Sequence, residues 1–240
     1  MAGGAMSETP KQAAKRIAAA SIRGGWKPEA LHAYTSADGT PLFWRIRARL
    51  ATGEKWIRPM HLNGESYALG EPEFTHGKPL YRLHELAAQP TAAVWFAEGE
   101  HCADALAKLG ILTTTAGSAS SDDRVDFTPL AGRAVTLWPD NDTAGIEHMA
   151  RVAAKLAALG CMVETIDARA LGLPDKGDCV DWLRVHENAS TADLATLPRV
   201  RSAEESTPTA AAASIDAVEL IAGASVTPEA VRWLWDGFLA

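Results

Sequence analysis

The rhythm of residues 92–168 limits the fold more than any other feature of this chain. Short apolar runs alternate there with amphipathic stretches. "AAVWFAEG" (92–99) reads as a buried strand, and "HCADALAKLG" (101–110) as a helix stopped by Gly110. "ILTTTAG" (111–117) is a second strand and "AVTLWPD" (134–140) a third. "AGIEHMARVAAKLAALG" (144–160) carries Ile146, Met149, Val152, Ala153, Leu156 and Leu159 near helical spacing, with Gly160 as its stop. "CMVETIDA" (161–168) is a fourth strand. Strands that alternate with helices imply βαβ units and a largely parallel sheet. Ahead of this region, residues 30–66 read as hairpins, with Asp38-Gly39 and Asn63-Gly64 as turn dipeptides. Between those turns Leu42, Trp44, Ile46 and Ala48 alternate with Phe43, Arg45, Arg47 and Arg49, a strand with three arginines on one face. The expected fold class is α/β: a parallel sheet flanked by helices, preceded by a smaller β-rich region.

The expected organisation of the 240 residues follows from composition shifts. Residues 1–21 are an alanine-rich, flexible N-terminus in which 9–20 can form a short helix loosely tied to the core. The β-rich region spans 22–90 and the parallel-sheet domain 91–185. Residues 186–214 are a linker ending in "PRVRSAEESTPTAAAAS" (198–214). Residues 215–240 read as the lead-in to a further C-terminal domain. The net charge of −7 argues against a basic nucleic-acid coat but leaves local basic patches open. Cys102, Cys161 and Cys179 have no zinc-site spacing, and their odd number argues against a disulfide framework. No secretory h-region and no membrane-length apolar run is present, so the expected location is the cytoplasm, away from membranes.

Functional groups in parallel α/β sheets gather where strands end and helices begin. Acidic residues occupy such places three times: Glu98 in "WFAEGEH", Asp140 and Asp142 in "LWPDNDTAG", and Asp178 and Asp181 in "LPDKGDCVDWL". Each has a bland explanation. Asp140 or Asp142 can cap the helix that follows, Asp178 can cap a short helix over "CVDWL", and Glu98 can favour a helix dipole. Brought together at adjacent strand ends, the same carboxylates repel, and Mg²⁺ or Mn²⁺ would neutralise them. Such a cluster suits phosphoryl transfer.

"VWFAEGEHCADAL", "LWPDNDTAG" and "KGDCVDWL", in that order, resemble the Toprim domain of primases, topoisomerases and related nucleases. The first is similar to its glutamate motif, the second to its DxD motif and the third to the trailing acidic segment of the primase branch. The preceding "GKPLYRLHEL" (77–86) resembles the N-terminal portion of phage and plasmid primases, and "TPEAVRWLWDGFLA" the lead-in to a helicase ATPase. The resemblance implies a Toprim-type sheet and a Mg²⁺-dependent (or Mn²⁺-dependent) nucleotidyltransferase. That enzyme would make RNA primers from ribonucleoside triphosphates on single-stranded DNA, in phage, plasmid or mobile-element replication, beside a replicative helicase domain or protein. It makes Glu98, Asp140 and Asp142 catalytic and metal-binding, adds Asp178 and Asp181 as metal-associated acids, and lets Lys176 meet a phosphate. The chain departs from many such primases in having no N-terminal zinc-binding cysteine set, and in a serine- and aspartate-rich "AGSASSDDRVDF" (116–127).

Two alternatives stay open: a Toprim-type nuclease using the same metal site, and a non-catalytic module that docks DNA or a helicase. Arg45, Arg47 and Arg49 form either a solvated strand face or a track for template phosphates, which Lys55, Arg58 and Arg82 would extend. Trp44, Trp56, Trp95 and Trp138 fit packing better than base stacking. Glu100 and Asp104 fit first-turn helix positions better than metal ligation, and Cys102 and Cys179 fit buried structural thiols.

Overall fold

The computed structural model describes residues 8–117 and 122–200, which fall in one compact unit. Two helices open the chain, α1 (Pro10–Ile17) and α2 (Ala19–Arg23). An antiparallel meander follows: β1 (Lys27–Thr35), β2 (Pro41–Arg49), β3 (Lys55–Asn63) and β4 (Ser66–Leu69), side by side in chain order. After α3 (Leu83–Ala88) come β5 (Val94–Ala97), α4 (Glu100–Ala107), β6 (Thr113–Thr114), β7 (Ala134–Trp138), α5 (Thr143–Ala158) and β8 (Met162–Thr165). The four strands of this second sheet are ordered β6-β5-β7-β8 and pair in parallel throughout. Helices α6 (Cys179–Val185) and α7 (Thr191–Ala195) close the described chain. The α/β class expected from the alternating pattern is the class observed, with the β-rich region in front.

Side-chain alternation explains why the parallel sheet needs helices on both faces. Val94, Phe96, Val135 and Leu137 point to one side and pack with Met149, Val152 and Leu156 of α5. Ala97 and Trp138 point to the other and pack with Cys102 and Leu106 of α4 and Cys179 and Trp182 of α6. Each large apolar side chain fully buried this way contributes about 1.5–3 kcal/mol. Strand β6 is shorter than the 111–117 run suggests. Beyond Thr114 the Thr115 hydroxyl accepts hydrogen bonds from the Gly99 and Gly117 amides, each at 3.1 Å, and the chain turns off.

The antiparallel sheet is also covered on both faces. Trp44, Ile46 and Met60 pack under Ala13, Ala14 and Ala18. Tyr34 and Phe43 pack against Tyr81 and against Ala103 of α4, so α4 belongs to both sheets' cores.

Two expected boundaries need correction. The N-terminal residues 10–18 are docked rather than loose, because small alanine side chains let the helix approach the sheet closely even without a broad apolar face. The linker does not begin at 186: Leu194 and Leu197 are buried against the α4–α6 face, and Ile166 bridges to Arg199. Residues 201–240, which hold the rest of the expected linker and the expected C-terminal lead-in, lie outside the described residues.

Candidate metal centre

The carboxyl ends of β5 and β7 lie side by side, with Ala97 paired to Trp138. Each strand hands over to a helix at this edge, and each handover carries an acid. After β5, Glu98 leads into Gly99, which caps α4 at φ 90° and ψ 159°, a conformation that favours glycine strongly. After β7, Pro139 and Asp140 lead into Asp142, the N-cap of α5. Gly145 lets this turn close: a Cβ there would sit 2.8 Å from the Asp140 carbonyl oxygen and 3.0 Å from the Asp140 amide nitrogen. The third segment is tied to the second by backbone. Asn141 donates through its amide nitrogen to Gly177 and accepts from Lys176, and its side chain donates to the Leu173 carbonyl at 2.8 Å. That stitching brings Asp178, the N-cap of α6, to the same edge.

Among the described residues, Asp140, Asp178 and Cys102 come together at this edge: their ligand atoms all lie within 4.8 Å of one another. Burial pushes the Asp140 carboxyl up to about 8, reinforced by the negative charges of Glu98 and Asp178; Lys55 opposes this and Asp142 adds to it. Glu98 Oε1 lies 3.6 Å from Nδ1 of the buried His148, while Glu98 Oε2 is buried with no hydrogen-bond partner among the described residues. An orphaned buried carboxylate oxygen beside a carboxyl that resists ionising calls for a cation. The donor set fits a divalent metal: Glu98, Asp140 and Asp178 offer hard oxygen ligands of the kind Mg²⁺ and Mn²⁺ take.

The remaining expected ligands are placed differently. Asp142 Oδ1 accepts the Gly145 amide at 2.7 Å, so it caps α5 while its charge acts on Asp140. Asp181 belongs to the capping box of α6: its carboxylate accepts the Asp178 amide at 3.2 Å and pairs with Arg184 at 2.7 Å. Lys176 is exposed, with a left-handed backbone at φ 60°.

Two solved structures share a distant outline with this chain. One is a chain of the bacteriophage T7 assembly in which a lagging-strand DNA polymerase interacts with primase domains of two gp4 subunits bound to an RNA/DNA hybrid and dTTP. It is 13% identical, with a TM-score of 0.40, over 71% of this chain and 78% of that one. The other is the Aquifex aeolicus primase, zinc-binding and RNA polymerase domains, 15% identical with a TM-score of 0.43. The match covers 71% of this chain and spans 40% of that chain's length. No protein-family model matches the sequence, and no curated protein matches it. Likeness this distant does not carry function, which rests instead on the residues of the site.

The arginines of β2 are all held by carboxylates, with Arg45 and Arg47 buried and Arg49 partly exposed. Arg45 donates to Glu100 at 3.1 Å and to Glu71 at 2.8 Å, and the Tyr34 hydroxyl donates to Glu100 at 2.6 Å. Arg47 and Arg49 share Glu29, at 2.7 and 2.6 Å. Arg82 is held by Asp104 at 3.2 Å and Glu85 at 2.6 Å. Beside Arg45, Lys78 is 3% exposed and lines a cleft of about 550 Å³ with Glu71, Phe74, Gly77 and Arg124. Burial, and then the Arg45 charge, push its amine down to about 8. Sequence reasoning did not single out Tyr34, Lys78 or His148. Its one available signal for Lys78 was the "GKPLY" stretch itself.

Proposed function

We propose that this chain is a metal-dependent nucleotidyltransferase of the primase type, making RNA primers on single-stranded DNA in phage, plasmid or mobile-element replication. The observation that carries the reading is the convergence of Glu98, Asp140 and Asp178 on one sheet edge, with an unpartnered buried oxygen and a carboxyl that keeps its proton to about pH 8. The sequence resemblance supplies the choice of reaction.

Mg²⁺ or Mn²⁺, when bound, would neutralise the carboxylates and the phosphate charge that develops during transfer. Glu98, Asp140 and Asp178 would hold it, with Asp142 adding negative charge while fixing the start of α5. Asp181 would act on Asp178 through the capping box. Lys176, exposed in the loop bonded to Asn141, would meet a phosphate entering beside Asp140. Arg45, Arg47, Arg49 and Arg82 would meet template or nucleotide phosphates only by exchanging the carboxylates that now hold their guanidinium groups. Ribonucleoside triphosphates, a single-stranded template and a replicative helicase domain are the partners this reading requires.

The test supplies labelled single-stranded DNA and Mg²⁺ or Mn²⁺, with and without ribonucleotides. Nucleotide-dependent extension products are expected. Cleavage without nucleotides would assign the same site to a nuclease instead.

A further inference from the structure

The acidic edge carries a ligand that a pure magnesium site does not use. Cys102 lies in the first turn of α4, and its sulfur faces the carboxylates of Asp140 and Asp178 inside the 4.8 Å group. The position is fixed from two directions. Leu106, one turn along α4, is buried in the same apolar cluster, and the Cys179 thiol, at the start of α6, donates to the Cys102 carbonyl at 3.7 Å. The sulfur is held, 3% exposed, under the two carboxylates.

Mg²⁺ gains little from such a neighbour, because it prefers oxygen ligands and retains waters. Thiophilic ions behave differently: Zn²⁺ and Co²⁺ favour sulfur and accept four ligands in a compact tetrahedron. In a zinc tetrahedron neighbouring ligand atoms are about 3.5 Å apart. The three ligand atoms lie within 4.8 Å of one another, so binding would draw them together to that spacing. The buried Glu98 Oε2, without a hydrogen-bond partner among the described residues, is a third carboxylate oxygen at the same edge.

We propose that Cys102, Asp140 and Asp178 bind a thiophilic divalent cation, Zn²⁺ or Co²⁺, in competition with the Mg²⁺ of the same edge. The inference rests on the metal-site reading above and adds a regulation to it: a tightly held sulfur-ligated ion would block the site. Binding forms a sulfur–metal bond and releases the thiol proton to solvent.

The full chain is titrated with Co²⁺ and followed by near-ultraviolet absorbance, while Mn²⁺ binding is measured separately by calorimetry. The wild type is expected to show a thiolate-to-cobalt charge-transfer band. Cys102→Ser and Cys102→Ala should lose the band and bind Zn²⁺ about tenfold more weakly or worse, with Mn²⁺ affinity little changed. A Cys161→Ser/Cys179→Ser double variant, whose sole thiol is Cys102, should keep the band, so the proposal stays testable if the Cys102 variants fold poorly. Mn²⁺ binding by the wild type without a sulfur band overturns the inference and leaves the metal site standing. A band that survives Cys102→Ser also overturns it. Failure of the wild type to bind Mn²⁺, Co²⁺ or Zn²⁺ overturns both.

Discussion

Replacing Asp140 by Asn should make the metal-free protein more stable at neutral pH while removing its activity. The carboxyl titrates near 8 in the folded chain against an ordinary value of 3.8, because it is buried beside the charges of Glu98 and Asp178. The folded state therefore holds this proton more tightly than the unfolded state. The stability that the proton confers is complete below about pH 4 and is lost as pH rises toward 8. At about 1.36 kcal/mol for each pH unit, the loss at pH 7 has a ceiling of about 4 kcal/mol; water on the open side of the edge reduces it to about 2 kcal/mol. Asn is nearly isosteric and does not titrate. Melting curves in EDTA from pH 4 to 8.5 should show Asp140→Asn drawing ahead of wild type as pH rises, by about 4–8 °C at the top of the range. Adding Mg²⁺ should close the gap by stabilising only the wild type. A constant offset between the two proteins at every pH, with no Mg²⁺ effect, would refute the reasoning.

Other substitutions separate roles that the geometry assigns to different atoms. Asp142→Asn should keep the α5 cap and stay within about 0.5 kcal/mol of wild type, Asp142→Ala should lose about 1 kcal/mol, and primer synthesis should fall in both; thermal melts beside an incorporation assay check this. Gly145→Ala would press a Cβ against the Asp140 backbone, costing about 1–3 kcal/mol in urea unfolding, with a drop in Mn²⁺ affinity read by calorimetry. Glu100→Gln leaves Arg45 with one charged partner in a buried setting and should cost about 2–3 kcal/mol by urea unfolding. Lys78 is depressed to about 8 by burial and Arg45, so its charged form costs stability below pH 8, and that cost fades as pH rises toward 10.5. Lys78→Met should raise the melting temperature at pH 7 and abolish the alkaline gain.

Local chemistry made much of the parallel sheet readable in advance. Val94 and Phe96, then Val135 and Leu137, write a buried strand face, and the 144–160 spacing writes the helix that covers it. The N-caps Asp142 and Asp178 sit within three residues of the amides they serve, so both were visible as caps. What escaped depends on distant partners. Arg45 reads as a surface charge until Glu71 and Glu100, 26 and 55 residues away, are folded onto it. Cys102 reads as a core thiol until α6 brings Asp178 beside it. The "KGDCVDWL" segment sends Asp178 to the carboxylate edge and turns Asp181 back toward Arg184, a division set by the capping box rather than by spacing alone. Helix α1 reads as loose in the sequence because alanines give a weak apolar signal, yet they dock closely against Trp44 and Ile46.

The most direct test of the metal centre is Mn²⁺ binding followed by electron paramagnetic resonance. The wild type should deplete the free-ion signal, with Mg²⁺ displacing the bound Mn²⁺. Glu98→Gln and Asp140→Asn should each weaken binding about tenfold or more while melting as cooperatively as wild type. Equal Mn²⁺ affinity in all three proteins would contradict the assignment of these acids to one cation site.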